Sequence, residues 1–598
     1  MSCGSNAFGQ LNHVPVSGFG GGGGSAGDLM SSLLRSTILP LPLDGALWVD
    51  AVACGTNLSA AIVCHESDLG LDYRKRVCYI WGAGLPGPPL RIPTPLSIMD
   101  VKQISCGLTH CGLVTENGLV FTWGAGDQGM LGHGNRQTVM TPKSIITLTK
   151  LKALSISCGA YHTAVIACDP SDQYTHVIHL PTSEGNSSRN EEDERAAEEH
   201  SFQCGHLYTF GMNKVGQLGH GSSISSPSGS SGSSKISNKD FVVTPKRVTY
   251  FDNVGEGCVE YTVAKVSCGM HHTLMLCLPL RDKNGRVSEN VTTTVFCCGW
   301  GEHGRLGTGD EEHAGHPSRV EFPAPSSSSS KVFCPIDIAA GEQHSLAAGR
   351  EGAYSWGSNS MGQLGIGSPS TAEMALLPVR IPLPEGMEVT QVAAGGRHSA
   401  AITRCGKLLS WGWGEEGQLG GGNEKNAAYP RPVRIPVLRE ESLKGVPIAV
   451  AVGMSHTMVL LMNEAYTPPP PRPLPVIDET FEAPPSPPAP FVPTVARIIE
   501  HAQTKLATAP VEYISPEPVQ SPGRKKNGIL TGDADGCRSG PPAIATAVRS
   551  IRELLQLREG SPRPHVAEED SLEPATREEE EPESDTAEGR HNFFLTEE

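Results

Sequence analysis

Two short signatures alternate along roughly the first three quarters of this chain of 598 residues, and their order constrains the fold more than any other feature. The first landmark is an aromatic residue or cysteine followed by glycine, with another glycine six positions after the landmark residue. It occurs at Cys3-Gly4, Trp81-Gly82, Trp123-Gly124, Phe210-Gly211, Cys298-Gly299, Trp356-Gly357 and Trp411-Gly412. The second landmark is a small residue, glycine, two variable residues and histidine. Its copies begin at Cys54-Gly55, Cys106-Gly107, Cys158-Gly159, Cys268-Gly269, Ala340-Gly341, Ala394-Gly395 and Val452-Gly453. They end on His110, His162, His272, His344, His398 and His456, with Leu58 in the first copy. Seven copies of each, in strict alternation, define a repeat array whose units bury their apolar faces only against one another.

The spacing assigns strands. From His110 to Trp123, His344 to Trp356 and His398 to Trp411 the chain has room for two strands and a tight turn. In the second copy Asn117-Gly118 sits at that turn and is expected to supply the positive φ angles of a hairpin. A further strand precedes each second landmark, as in Val101 to Ser105 and Val389 to Ala393. The runs Gly362-Gln363-Leu364-Gly365 and Gly417-Gln418-Leu419-Gly420 read as turns that drop a leucine into the interior. The predicted fold is therefore all-β: four-stranded units closed radially into a seven-bladed β-propeller over residues 1–465.

The run Trp356 to Gly365, followed later by a Cys-Gly-x-x-His-Thr type signature, resembles the repeat of the regulator of chromosome condensation family. That resemblance covers about three quarters of the chain and implies the propeller. It also brings two functional expectations, since the founding member is an exchange factor for the small GTPase Ran and also holds chromatin. Exchange there is implied to use a wedge in one blade and acidic residues on one face; here Gly126-Asp127-Gln128-Gly129 offers a carboxylate but no long insertion. Ultraviolet-sensing members carry Gly-Trp-Arg-His-Thr copies, whereas this chain has Gly396-Arg397-His398-Ser399 and Gly269-Met270-His271-His272, so no such sensing is implied.

Low-complexity insertions near 12–48, 169–203, 222–240 and 321–331 are expected as loops outside the blades. The chain starts almost at its first landmark and the last copy ends after His456 to Met462, so Met1 to Gly4 is expected to pair beside the final strand and close the ring from both termini. Residues 466–598 read as a disordered Pro-rich and acidic tail. Pro468 to Pro471 are expected to favour extended polyproline geometry and so to offer a docking segment for polyproline-recognising domains, and short amphipathic helices are expected at 494–508 and 543–559.

Charge and cysteine usage narrow the function. The net charge is −17, concentrated in residues 566–598, which hold thirteen carboxylates against Arg577 and Arg590. A chain without general positive charge does not recruit nucleic acid by counterion release, so nucleic acid and chromatin are disfavoured as partners. Seventeen cysteines without a Cys-x-x-Cys pair, and no secretory signal, point to a reducing compartment, the cytoplasm first and the nucleus second. No apolar run reaches membrane-spanning length.

Pairs such as Cys106 with His110 and Cys158 with His162 invite a metal reading. The cysteine is replaced by Ala340, Ala394 and Val452 in later copies, and each pair falls in a different unit, so the histidines are expected to brace neighbouring backbone instead. No catalytic residue, cofactor or metal is predicted, and the glycines fall at repeat turns rather than in a phosphate loop. The preferred function is a protein-interaction platform. The alternatives are guanine nucleotide exchange on a Ran-like small GTPase, and histone or chromatin binding through a basic face.

Overall fold

The computed structural model describes residues 1–463 apart from 8–9, 12–47, 66–74, 83–88, 93–99, 171–176, 180–200, 222–239, 253–258, 282–291, 325–331, 371, 385–386 and 436–444. The chain divides into two units, 1–549 and 550–598, and everything described belongs to the first. The segments proposed as tail helices, the polyproline run, Gly9, Gly87 and most of the four insertions lie outside the described residues.

Strands dominate, as the spacing predicts. Six antiparallel sheets of four strands follow one another along the chain, and a seventh has three described strands. Blade 1 comprises Trp48–Cys54, Leu58–His65, Lys75–Gly82 and Leu90–Arg91, and blade 2 Val101–Cys106, His110–Thr115, Val120–Gly124 and Val139–Ser144. Blade 3 takes Lys152–Cys158, His162–Cys168, His206–Met212 and Phe241–Arg247, and blade 4 Glu260–Cys268, His272–Arg281, Thr294–Gly299 and Ala314–Arg319. Pro335–Ala340, His344–Gly349, Gly352–Ser358 and Met374–Arg380 form blade 5. Val389–Ala394, His398–Thr403, Leu408–Gly412 and Ala427–Pro432 form blade 6. Blade 7 joins Gly445–Val452 and His456–Asn463 to Ser2–Gly4 from the other end of the chain, with Gly4 opposite His456. That register repeats His110 opposite Gly124 in blade 2, so the N-terminal strand occupies the place a third strand holds elsewhere.

Seven apolar clusters fill the seams, one between each blade and the next. The last of them sets Met458 of blade 7 against Ala61, Val63 and Trp81 of blade 1, so no terminal sheet is left with an open flank. The leucines of the turn after the third strand, Leu131, Leu218, Leu306 and Leu364, are buried in this core.

Two local details depart from expectation. In the Thr115 to Leu119 hairpin only Gly118 takes a positive φ, 83°, and its N–H bonds Thr115 O at 2.8 Å. This is a type I turn closed by a left-handed glycine, which needs one positive φ rather than the two of an Asn-Gly turn. Thr403 to Lys407 repeats it, with Gly406 at 71°. Within the 169–203 insertion, expected as loop, Val177–His179 and Ser201–Gln203 pair as an antiparallel ribbon.

Candidate functional site: the landmark face and its interblade latches

Both landmarks end up on one face of the propeller. The second landmark turns from first to second strand and the first landmark leaves the third strand beside it; Ala125 N–H, for instance, bonds Thr109 O at 2.9 Å. Gly124 shows why glycine is needed there. Its φ is +109°, and a Cβ would meet Thr109 O at 2.5 Å.

The glycines of the second landmark answer a different demand. A Cβ on Gly55 would lie 2.4 Å from Gly107 O, one on Gly107 2.3 Å from Gly159 O, and the relation continues through Gly269, Gly341, Gly395 and Gly453 back to Gly55 O at 2.4 Å. Seven backbones thus touch in a closed ring around a central channel. At six of the seven seams the residue after the glycine donates its N–H across, from Glu342 N to Gly395 O at 3.0 Å up to Thr56 N to Gly107 O at 3.4 Å. The mouth of the channel is an open depression of about 500 Å³ lined by these glycines together with Cys54, Cys106, Cys158 and Cys268.

The repeated histidines are fully enclosed, and each reaches into the following blade. His110 Nε2 lies 2.8 Å from Thr163 Oγ1, His162 2.8 Å from Thr273, His272 2.9 Å from Ser345, His344 2.9 Å from Ser399, His398 3.0 Å from Thr457 and His456 2.9 Å from Ser59. The brace therefore ends on a hydroxyl rather than on backbone, contrary to expectation. Each hydroxyl in turn donates to a carbonyl of the blade from which the histidine came: Thr163 to Met130 O, Ser345 to Arg305 O, Ser399 to Gln363 O and Thr457 to Gln418 O, all at 2.8 Å. Because the hydroxyl proton is committed to that carbonyl, the histidine must donate through Nε2 and is the neutral tautomer with Nδ1 bare. Burial favours the same state, pushing His110, His162, His344 and His398 down to about 3 and His456 to about 4.

The landmark tryptophans complete the latch. Trp81, Trp356 and Trp411 are buried, and their Nε1 groups donate to the carbonyls of Gln10, Arg305 and Gln363 that also receive the hydroxyl. At one seam the latch is missing on both sides. Leu58 of blade 1 replaces the histidine, and Cys111 of blade 2 replaces the serine or threonine that follows the histidine in the next blade. Apolar packing fills that seam instead.

Sequence reasoning missed the hydroxyl, although a serine or threonine follows every landmark histidine except His110 and also follows Leu58. It missed Arg305 as well, which stands where Gln217, Gln363 and Gln418 stand in other blades. This guanidinium is 2% exposed, donates to Glu302 O and Glu342 O, and lies 4.9 Å from the Trp300 ring. Burial lowers its pKa to about 10. His271, 4.9 Å from Trp300, is pushed to about 4 by burial and secondarily by Arg305.

Exposed charge on the landmark face of blades 4 to 6 is mostly acidic, with Arg397 and Lys425 as exposed cations. On the landmark face of blades 4 to 6, Asp310, Glu311, Glu312, Glu373 and Glu415 are exposed, and none of them is in an ion pair among the described residues. The opposite face carries ion pairs, Arg76 with Asp50 and Glu116, Arg247 with Asp252, and Arg404 with Glu388, beside the exposed Lys150, Lys152 and Lys407, which are in no ion pair among the described residues. Asp127 lies on an exposed turn of the landmark face. Among the described residues no three histidines, cysteines or carboxylates converge as metal ligands, and no helix is long and apolar enough to cross a membrane.

The regulator of chromosome condensation (RCC1) repeat model matches residues 117–166, 204–276, 294–348, 352–402 and 406–460. The chain belongs to that repeat family. Each matched RCC1 repeat runs from the third strand of one blade, or the turn before it, to the second strand of the next, or just past it. That offset leaves the last blade to be completed by the N-terminal strand. Among curated RCC1 relatives, the ultraviolet-B receptor of Arabidopsis thaliana is 27% identical over 400 residues, 65% of this chain and 70% of the receptor. A human E3 ubiquitin-protein ligase is 25% identical over 375 residues, 61% of this chain but 6% of the ligase. Among solved structures, Prp20p of Saccharomyces cerevisiae, described with its binding to Gsp1p and histones, aligns at 19% identity with a TM-score of 0.47, over 69% of this chain and 82% of that one.

Proposed function

We propose that this RCC1-repeat chain is a non-catalytic interaction platform whose landmark face, acidic over blades 4 to 6, receives a basic protein surface. The observation that carries the reading is the excess of exposed carboxylates without an ion pair on that face of blades 4 to 6. Closed seams hold the loops in place while loop sequence varies freely, which is how a propeller presents a binding surface. Complementary charge steers the encounter and suppresses wrong partners. The Pro-rich and acidic tail recruits further proteins, and the setting is the reducing cytoplasm or nucleus.

The test is affinity capture with the intact chain beside a variant carrying Glu312→Lys, Glu373→Lys and Glu415→Lys. Partners of the landmark face are expected to bind at least about tenfold more weakly to the variant, with a shallower salt dependence. Equal capture and equal salt dependence would remove the reading.

The same acidic arc supports a second reading, guanine nucleotide exchange on a Ran-like small GTPase, because the family resemblance implies acidic residues of one face in exchange. Small GTPases loaded with fluorescent nucleotide are mixed with the intact chain; unchanged release across the panel removes exchange without touching the capture result. Binding to chromatin through a basic face is not favoured by blades 4 to 6, where the exposed carboxylates Asp310, Glu311, Glu312, Glu373 and Glu415 outnumber the exposed cations Arg397 and Lys425.

A further inference from the structure

The seam that lacks the histidine latch holds a pair of thiols. Cys106 ends the first strand of blade 2 and lines the channel mouth, while Cys111 lies directly opposite on the second strand. Their sulfurs are 3.8 Å apart, with Cys111 donating to Cys106. The neighbouring Gly107 and His110 carry the interstrand bond, Gly107 N to His110 O at 2.9 Å, so 106 and 111 form the pair without such bonds between them. Strands approach to roughly 4.5 Å between Cα atoms at such a pair, inside the range a disulfide spans.

Three other cysteines give an internal comparison. Cys54, Cys158 and Cys268 line the same channel, but the residues opposite them are Ser59, Thr163 and Thr273. In blade 2 the hydroxyl is replaced by a thiol, and because Leu58 stands where the histidine would be, Cys111 bears no latch that a disulfide would break. Its surroundings across the seam are apolar, among them Ala53, Ala60 and Ile62.

We propose that Cys106 and Cys111 are a peroxide-responsive dithiol that closes to a disulfide within blade 2. Cys106 sulfur, on the channel side, attacks the O–O bond of hydrogen peroxide; one oxygen stays as a sulfenic acid and the other leaves as water. Cys111 sulfur then attacks Cys106 sulfur, the S–O bond breaks, and the Cys111 proton leaves with that oxygen as a second water. Two electrons pass from the two thiols to the peroxide. Its hydrogen bond to Cys106 and its burial hold the Cys111 thiol well above the ordinary range, which keeps it the protonated donor until the sulfenic acid forms. In a reducing compartment such a bond is transient, and small thiols entering the channel mouth reverse it.

The test uses the intact chain, exposed to graded hydrogen peroxide, then denatured, alkylated and digested. The peptide from Gln103 to Arg136 holds both cysteines and is expected to appear two hydrogens lighter and unalkylated, while Cys158 and Cys268 remain alkylated. In Cys111→Thr, which installs the residue found after His162 and His272, the disulfide is lost and a sulfenic acid on Cys106 is trapped by dimedone. Full alkylation of both Cys106 and Cys111 at a peroxide level that oxidises the exposed Cys405 would overturn the proposal, as would sulfenic acid on Cys158 matching that on Cys106.

Discussion

Ser399 is the point at which the latch between blades 5 and 6 is best cut. Its hydroxyl accepts from His344 Nε2 at 2.9 Å and donates to Gln363 O at 2.8 Å, and all three residues are 0% exposed. In Ser399→Ala the carbonyl keeps Trp411 Nε1 at 2.9 Å, so the loss falls on the imidazole N–H, left buried with no acceptor. Such a donor costs about 1–3 kcal/mol. The chain itself displays the alternative, Leu58 facing Cys111, in which both polar partners are gone. His344→Leu with Ser399→Cys is therefore expected to lose about 1–2 kcal/mol less than the two single changes added together, because removing both partners leaves nothing unsatisfied. Urea unfolding of the wild type, both single variants and the double variant closes the cycle. Additivity within about 0.5 kcal/mol would refute the view that the imidazole and the hydroxyl form a coupled unit.

Acid should unfold the propeller steeply. The enclosed histidines have folded pKa values well below the unfolded 6.5, so their contribution is complete above pH 6.5 and is lost as pH falls toward the folded values of about 3 to 4. Each such group contributes a slope of about 1.4 kcal/mol per pH unit in that window; circular dichroism of the wild type beside His344→Leu should show the variant with the shallower dependence. Gly341→Ala places a methyl 2.6 Å from Gly395 O in the backbone ring and is expected to cost at least about 1–3 kcal/mol, read as a lower urea midpoint. Asp337→Ala removes the acceptor of Val392 N–H at 2.9 Å and the partner of Lys265, tying blade 5 to blades 6 and 4, and is expected to cost about 2 kcal/mol, with Asp337→Asn intermediate. Deleting residues 1–5 takes away the strand whose Met1 O accepts Val459 N–H at 2.8 Å; thermal unfolding should begin at lower temperature, with exchange of the His456–Asn463 amides accelerated first.

Blade number, strand order and closure by the N-terminal strand were legible in the sequence because each depends on spacing within one repeat. The latches were not, since they depend on which residue of the next blade lies beside a given histidine. The partners are 53 residues apart for His110 and Thr163 but 111 for His162 and Thr273, because the insertions fall between them. Counted by position within the repeat, the pairing is constant, and the joint loss at Leu58 and Cys111 then reads as one event rather than two irregular copies. Glycine was ambiguous for a related reason: Gly124 is required by its own φ and Gly107 by the backbone of another blade, and the one-letter code cannot separate the two. The ribbon of Val177–His179 and Ser201–Gln203 was hidden because each strand is three residues long and the polar stretch between them dominates the composition.

Repeat position also decides what the molecule shows to solvent. Asp310, Glu311 and Glu312, then Glu373, then Glu415 and Glu416 are scattered in sequence, yet all follow a first landmark and precede the fourth strand of their blade. Loops in that phase must emerge on one face, whatever their sequence. The rule can be used in reverse: a charge moved from this phase to the turn between second and third strands changes face without changing net charge. Glu312→Lys combined with Lys407→Glu leaves the total at −17 but takes one carboxylate from the landmark face to the other. If partner binding follows face rather than total charge, this exchange weakens capture as Glu312→Lys alone does, and Lys407→Glu alone leaves it unchanged. Weakening by Lys407→Glu alone would mean that the partner reads the opposite face.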